Sequence, residues 1–358
     1  MRIKNLVLSA ILVLLGATAP RAQSISADQP DLLKQAGKAL VFAAPGGDLG
    51  KILKALLADF TKDTGIKVNY LEGPLLDLYG RVKAERNRPS IDVYVASSVT
   101  EVKGIQEGVY QPLDPKIVTH MSEVLPVGLA AGGFGVRMGL TSLGIIYNRK
   151  LYEQNHIPAP TSWDDVWNPA VSGHVILGDT TSFYTVLYIA SLTKRLGGDV
   201  ANPAPGVDFL AAHRSNLLAV VRTYPERMQM LNSGQAWLTV DVGMSSVPET
   251  RKNPDLAFVS PDQGSALFWN CYTVVKGAPN PIGAQLLINY LISPLAQARL
   301  AHDAFMGPVN GQTKLDADLA AAVPYGAERI GKLMALDNGA IGEALGKYRE
   351  LWDAKMTR

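Results

Sequence analysis

The apolar positions of this chain alternate between two spacings. Residues 39–44 form a short apolar run that is typical of a buried strand, and the apolar residues from Leu49 to Phe60 then recur at helical spacing until Gly65 ends the segment. The alternation continues with predicted strands at 66–71 and 91–96 and predicted helices at 75–86 and from 99 onward. Strands that take turns with helices predict an α/β fold with a mostly parallel sheet flanked by helices.

A second alternating unit follows Asn148. Its predicted strands lie at 174–177 and 236–242, two predicted helices begin near 161 and 179, and another ends near 233. Predicted strands at 257–259 and 268–275 lead back to the first unit, and predicted helices follow at 284–291, 294–301 and over most of 327–355. Residues 202–206 are rich in Pro and Gly and predict a surface loop. Two such units in 358 residues predict two lobes, because a single core rarely grows to that size.

The glycine-rich segment 132–148 joins the two units. We interpret it as a strand that crosses from one lobe to the other, with Thr141 and Ser142 exposed at the crossing, although an ordinary edge strand would have the same composition. Further crossings are expected near 268–273 and 308–312, and several crossings permit a hinge. The predicted organisation is a signal peptide at 1–23, lobe 1 at 24–140, lobe 2 at 141–267, a return to lobe 1 at 268–310 and lobe 2 again at 311–358.

The first 23 residues have the pattern of a signal peptide. Arg2 and Lys4 precede an apolar run at 6–16, and small residues follow where a signal peptidase would cut. The apolar run is shorter than a membrane span. We therefore expect export to the periplasm and a mature chain that starts between Pro20 and Ser24. A single cysteine, Cys271, excludes an intrachain disulfide.

Composition and motifs exclude several functions. The net charge is +2, so no polybasic surface argues for binding nucleic acid or a membrane. The sequence has no nucleophile elbow, phosphate-binding loop or metalloprotease motif. The histidines are scattered without metal-ligand spacing: His120, His156, His174, His213 and His302. We therefore predict that the protein is not an enzyme and uses no cofactor and no metal.

Loops that follow predicted strands supply the candidate binding site, because open α/β sheets bind ligands at the carboxyl ends of their strands. The first loop, Pro45-Gly46-Gly47, precedes a helix whose free N–H groups can hold an anion. The second is Ser97-Ser98. Ser98 and Glu101 have the spacing of a capping box, which explains the serine as well as ligand binding does.

Two further loops belong to the second unit. Asp179-Thr180-Thr181-Ser182 opens a predicted helix, and helix capping is again the alternative role. Asp241 ends a predicted strand, where a carboxylate is either a turn residue or part of a binding cleft. Hydroxyl groups dominate these loops, and hydroxyl donors can hold carboxylate or phosphonate oxygens.

Segments along nearly the whole mature chain resemble a known family. They are 60–68 (FTKDTGIKV), 92–98 (DVYVASS), 162–169 (SWDDVWNP), 173–175 (GHV), 233–237 (SGQAW) and 289–297 (NYLISPLAQ). In this order they resemble a family 1 extracellular solute-binding protein, closest to the branch with spermidine/putrescine-binding and ferric-ion-binding periplasmic proteins. The resemblance implies a two-lobed type II periplasmic binding protein. Such a monomer closes on a small-molecule solute and delivers it to the permease of an ABC importer.

The resemblance also bears on the ligand. Polyamine binders carry a carboxylate just after a cleft tryptophan, whereas Trp269 is followed here by Asn270. Ferric-ion binders present adjacent tyrosines, and Tyr184 follows Phe183 instead. We therefore predict a small zwitterion or anion, such as an aminophosphonate or an amino-acid-like compound. In this interpretation the acid lies among the helix N-termini that follow Gly47, Ser98 and Asp179. Asp241, together with Asp179, pairs with an amine, and Trp269 forms an apolar or cation–π wall. The hydroxyls that add donors for the acid are those of Ser97, Ser98, Thr141, Thr180, Thr181 and Ser182. A polyamine or ferric-ion binder remains the alternative, and a periplasmic enzyme or signalling domain is a more distant one.

Overall fold

The computed structural model describes residues 25–261 and 264–357. In this part of the chain, strands form two six-stranded sheets, and the predicted signal peptide at 1–23 lies outside the described residues. The strands are β1 (Ala39–Ala44), β2 (Lys67–Glu72), β3 (Val93–Ser97), β4 (Tyr110–Gln111), β5 (Gly135–Arg137), β6 (Thr141–Asn148), β7 (Val175–Leu177), β8 (Leu217–Val220), β9 (Leu238–Val242), β10 (Leu256–Val259), β11 (Leu267–Phe268) and β12 (Asn270–Val275).

Helices flank both sheets. They are α1 (Ile25–Asp28), α2 (Pro30–Gln35), α3 (Gly47–Thr64), α4 (Leu75–Ala84), α5 (Ser98–Gln106), α6 (Arg149–Gln154), α7 (Phe183–Arg195), α8 (Ala204–Ala212), α9 (Tyr224–Asn232), α10 (Gly243–Lys252), α11 (Pro281–Leu291), α12 (Pro294–Ala304), α13 (Ala317–Ala322), α14 (Ala327–Gly331), α15 (Asn338–Glu343) and α16 (Leu345–Met356). Short 3-10 turns lie at 119–123, 126–128, 131–133, 163–167, 169–171 and 214–216. Among the described residues, no helix is both long and apolar enough to span a membrane.

The first sheet has the order β2-β1-β3-β12-β4, with β5 also paired to β12. β1 runs parallel to β2 and β3, whereas β12 runs antiparallel to its three neighbours. Gly65 ends α3 in the left-handed conformation at a φ of 74°, which glycine adopts without a Cβ clash, and the chain turns there into β2. Apolar residues of α3, α11 and the sheet form one core.

The second sheet has the order β10-β6-β9-β7-β8, with β11 also paired to β6. β7 is parallel to β8 and β9, and β6 is antiparallel to β9, β10 and β11. A separate core that includes α7, α8 and α16 covers this sheet. Each lobe thus combines the predicted parallel pairs with antiparallel strands.

The glycine-rich segment contains two strands rather than one. β5 belongs to the first sheet and β6 to the second, so the chain crosses between lobes at Met138–Leu140. The predicted exposure of Thr141 and Ser142 is wrong, because both side chains are buried at the start of β6. A second crossing divides the predicted strand 268–275 at Trp269, between β11 and β12.

The C-terminal segment differs from its predicted assignment to lobe 2. Leu319 and Val323 pack with Ala301 of α12 in the first lobe, and only at Met334 does the backbone bond to Ser265 and to Leu267 of β11. The third crossing therefore lies between 326 and 334, not at 308–312. α15 packs against α5 of the first lobe, and α16 packs against α8 of the second. The last helices contact both lobes.

Three elements of the second lobe differ from the sequence pattern. The predicted loop 202–206 includes the first residues of α8, whose Pro205 lies in the first turn, where a missing N–H is tolerated. The sequence pattern did not predict β8 or α10. α10 contains Pro248, which marks a helix boundary in sequence reasoning but here lies inside the helix.

Candidate functional site

A cavity of about 690 Å³ lies between the two lobes. Residues at the N-terminal ends of α3, α4 and α5 line it from the first lobe, and residues at the N-terminal ends of α7 and α10 line it from the second. Because a helix N-terminus carries unpaired N–H groups and a partial positive charge, this arrangement favours negative charge in the cavity.

The entry to α5 is held by a capping box. The Ser97 hydroxyl accepts from the Thr100 N–H, and the Thr100 hydroxyl accepts from the Ser97 N–H at 2.8 Å. Both residues line the cavity. The predicted box between Ser98 and Glu101 is wrong by one residue. Ser98 is instead buried, and its hydroxyl donates to the Asn338 side chain at 3.2 Å.

The loop before α7 is shaped by Asp179. Its carboxylate accepts a hydrogen bond from the Thr181 N–H at 2.9 Å and another from the Thr181 hydroxyl. This turn presents Thr180 and Thr181 to the cavity. Asp179 therefore has a local partner in the turn that precedes α7. The alternative role in helix capping is wrong, because the N-cap of α7 is Ser182 and no side chain caps this helix.

Apolar side chains form much of the cavity wall. Phe268 lies 5.3 Å from the ring of Tyr184 in an edge-on arrangement and 6.1 Å from that of Phe183. Burial raises the pKa of Tyr184, so its hydroxyl stays protonated and can donate a hydrogen bond. The other apolar lining residues are Pro45, Leu49, Pro74, Leu75, Leu76, Val99, Val186, Met244 and Leu345.

The cavity lining carries positive charge and no negative charge in the part of the chain that the structure describes. Among the residues that the structure describes, no Asp or Glu lines the cavity, and its one charged side chain is Arg349 of α16. The uncharged polar lining residues are Ser97, Thr100, Thr180, Thr181, Tyr184 and Asn270. Asn270 is 4% exposed, and its Oδ1 atom has no hydrogen-bond partner. Buried amides are normally paired, so this one is available to a ligand.

The thirteen residues predicted for the site fall into three groups. Those that line the cavity are Pro45, Ser97, Thr180 and Thr181. Those that lie in the same loops but outside the lining are Gly46, Gly47, Asp179 and Ser182. Those that are buried behind it are Ser98, Thr141, Ser142, Asp241 and Trp269. Ligand contact by the first group stays a prediction.

The predicted site residues that are buried behind the cavity bond to other residues of the protein. The Thr141 hydroxyl accepts from the Met244 N–H at 3.0 Å, so it caps α10, and the Ser142 hydroxyl bonds to that of Ser260 at 2.9 Å. Asp241 is 0% exposed, and its carboxylate accepts from Arg227 at 2.8 Å and from the Val242 N–H at 2.8 Å. Burial raises the pKa of Asp241, while Arg227 and the Val242 N–H oppose that rise. The predicted pairing of Asp241 with a ligand amine therefore loses its support.

Trp269 also lies behind the cavity. Its ring N–H donates to Glu101 at 2.8 Å, and the Arg137 guanidinium stacks on its ring at 3.8 Å. Arg137 in turn donates to Glu101 at 3.2 Å. The predicted aromatic wall exists, but the adjacent Phe268 forms it. Successive residues along an extended chain face opposite sides, which accounts for the shift of one position.

Sequence reasoning missed the contributions of α4, α10 and α16 to the cavity. The first turn of α4 follows the C-terminal end of β2, which is the signal that located the other loops. No such signal exists for Arg349, because α16 is remote in sequence from every strand. In the described residues no group of three or more His, Cys, Asp or Glu side chains could hold a metal ion.

Residues 55–325 match the family described as bacterial extracellular solute-binding protein. Iron uptake protein A1 of Synechocystis sp. is 26% identical over 289 residues, which cover 74% of this chain and 75% of that protein. Spermidine/putrescine-binding periplasmic protein 1 of Haemophilus influenzae is 26% identical over 261 residues, which cover 68% and 69% of the two chains.

Solved structures share the fold. That of an ABC transporter from Clostridium perfringens has a TM-score of 0.73 at 21% identity, over 88% of this chain and 99% of that chain. The periplasmic binding protein AfuA of Actinobacillus pleuropneumoniae, with fructose-6-phosphate bound, has a TM-score of 0.67 at 16% identity, over 90% and 99%. The predicted two-lobed α/β fold is confirmed. Since the family match covers most of the chain, this protein belongs to the bacterial extracellular solute-binding proteins.

Proposed function

We propose that this receptor binds a small organic anion with an apolar body and delivers it to its importer. The observation that carries the proposal is the sign of the charges around the cavity. Helix N-termini from both lobes and Arg349 meet there, and no carboxylate lines it among the described residues. Inside a cleft of lowered dielectric such an arrangement favours an anion and penalises a cation.

The alternatives have less support. A polyamine needs carboxylates to replace its lost hydration, and the nearby Asp241 is already paired with Arg227. Ferric-ion binders present adjacent tyrosines, whereas Tyr184 is the one tyrosine in the lining among the described residues, and no group of three or more His, Cys, Asp or Glu side chains there could hold a metal ion. The names of the two relatives refer to different ligands, iron and spermidine/putrescine, so the relatives do not identify the ligand of this protein. The same fold holds a sugar phosphate in AfuA.

The size and walls of the cavity narrow the class of ligand. A volume of about 690 Å³ suits a small molecule rather than a peptide. Phe183, Tyr184 and Phe268 form an aromatic wall that an apolar or ring-bearing body can contact. The acid group is a carboxylate, phosphonate or phosphate. An amine on the ligand, as in an aminophosphonate, is compatible with this site, but among the described residues no carboxylate of the lining pairs with it.

A thermal-shift screen with compounds of matched shape and opposite charge tests the proposal. The pairs are hexanoate with hexylamine and phenylphosphonate with benzylamine, alongside 2-aminoethylphosphonate, spermidine, putrescine and ferric citrate. Ligand binding to the folded state raises its stability by RT ln(1 + [L]/Kd). We expect the acid of a pair to raise the melting temperature and its amine to leave it unchanged. Stabilisation by the amines or polyamines alone would overturn the proposal.

A further inference from the structure

We propose that Arg349, on the C-terminal helix α16, is the residue that selects for the negative charge of the ligand. This inference rests on the proposed function and adds a specific determinant to it. Helix N-termini act on any anion through partial charges, whereas a guanidinium supplies a full charge and paired donors that match a carboxylate or phosphonate. The cavity contains one such group in the described part of the chain.

α16 is held firmly enough to position that side chain. Tyr348 and Trp352 are buried in the core of the second lobe, and the Tyr348 hydroxyl donates to the Val200 carbonyl at 2.7 Å. Leu345 and Arg349 are four residues apart, so they lie on the same side of the helix, and both line the cavity. The anchored residues therefore fix which face of α16 the ligand meets.

Arg349 is also free to bind. Within residues 25–261 and 264–357 its side chain forms no ion pair or hydrogen bond, and it is exposed at the edge of the cavity. Two other arginines near the site are occupied, since the half-buried Arg137 bonds to Glu101 and the buried Arg227 bonds to Asp241. A ligand anion thus competes with no internal carboxylate for Arg349.

A second group in the cavity has an unfilled hydrogen-bonding position. The Asn270 Oδ1 atom is buried without a partner. The oxygen and nitrogen of a side-chain amide can exchange places by a half rotation, which would turn two N–H donors toward this position. Arg349 from the C-terminal helix and Asn270 from β12 would then contact one acid group from opposite lobes. Such a contact couples recognition of charge to closure of the lobes.

Titration calorimetry with phenylphosphonate and hexanoate tests this role. Arg349→Gln removes the charge, Arg349→Lys keeps it without the planar fork, and Lys347→Gln is the control, because it removes one positive charge from an exposed site on the same helix outside the cavity lining. We expect Arg349→Gln to weaken binding about tenfold, Arg349→Lys to fall between it and wild type, and Lys347→Gln to match wild type.

The outcomes separate this inference from the function on which it rests. If wild type binds an acid probe and Arg349→Gln binds it equally well, the role of Arg349 is wrong while the anion receptor stands. The role is also wrong if Lys347→Gln weakens binding as much as Arg349→Gln, since general attraction then explains both. If wild type binds neither acid but binds benzylamine or hexylamine, the proposed function fails, and the role of Arg349 fails with it.

Discussion

The Asp241 carboxylate accepts a hydrogen bond from the Arg227 guanidinium at 2.8 Å, and their side chains are 0% and 4% exposed. This pair joins the end of β9 to α9 behind the ligand cavity. Arg227 also lies against Gly178, at which a Cβ atom would be 3.1 Å from Nη1. The pair therefore supports the loop that presents Thr180 and Thr181, and its charges are internal to the fold.

Asp241→Asn should destabilise the protein rather than change its ligand preference. The substitution leaves Arg227 buried without its counter-charge, and breaking a buried pair in this way costs about 3–5 kcal/mol. Urea unfolding measures the loss. Asp179→Asn is the control and should change stability little, because the Asn oxygen can still accept from the Thr181 N–H. A stable Asp241→Asn protein that has lost affinity only for amine-bearing ligands would contradict this assignment.

A substitution at Trp269 should lower stability, whereas a substitution at Phe268 should weaken ligand binding. Trp269→Phe removes the N–H that bonds to buried Glu101, so it should lower the free energy of unfolding by about 1–3 kcal/mol and leave the Kd for phenylphosphonate unchanged. Phe268→Leu removes part of the aromatic wall and should raise that Kd. Calorimetry on both variants checks the contrast, and a reversed result would place Trp269 rather than Phe268 in the binding surface.

Gly342 should be needed for the contact between α15 and α5. A Cβ atom at this position would overlap with Val99, which lines the cavity. Gly342→Ala should cost about 1–3 kcal/mol of stability, as overpacking does, and weaken ligand binding by displacing the start of α16. Gly346→Ala adds the same methyl group where nothing lies within 4 Å. It should be neutral or slightly stabilising. Equal effects of the two substitutions in urea unfolding would argue against this contact.

The Asp165 carboxylate should make the free energy of unfolding depend on pH in the acidic range. Burial tends to raise its pKa, but N–H groups of Thr161 and Ser162 and the Ser162 hydroxyl outweigh burial and hold the pKa below its usual value. The folded state therefore binds this proton less readily than the unfolded state. The resulting stability is present above about pH 4 and is lost as pH falls through the lowered pKa.

Asp165→Asn isolates that contribution. At pH 7 the variant should be less stable than wild type by about 1 kcal/mol, the usual cost of losing a helix-capping group. The difference should shrink as the pH falls from 4 toward 2. Urea unfolding at several pH values provides the measurement, and a difference that stays constant over this range would mean that the carboxylate has no special stabilisation.

Local signals in the sequence account for most of the fold. Gly65 marks the end of α3, and the run at 39–44 coincides with β1. The same signals place Pro45, Ser97, Thr180 and Thr181 beside the cavity, because each ends or follows a strand of a sheet that the two alternating units predict.

Local signals could not locate contacts between distant segments. Asp241 has the sequence context of a cleft carboxylate, and only its buried neighbour Arg227 assigns it to the interior. Trp269 and Phe268 are adjacent, so a shift of one residue along the strand would exchange which of the two side chains faces the cavity. Arg349 enters the cavity only because Tyr348 and Trp352 bury the rest of α16 against the second lobe. None of these contacts produces a periodic pattern of residues in the sequence.

Native mass spectrometry of the protein, purified without denaturation, tests the central claim most directly. Gentle ionisation retains a co-purified solute, and its release gives the exact mass, and therefore the elemental composition, of the natural ligand. The account predicts a small organic acid that carries a carboxylate, phosphonate or phosphate. Spermidine, putrescine or iron as the retained species would contradict it.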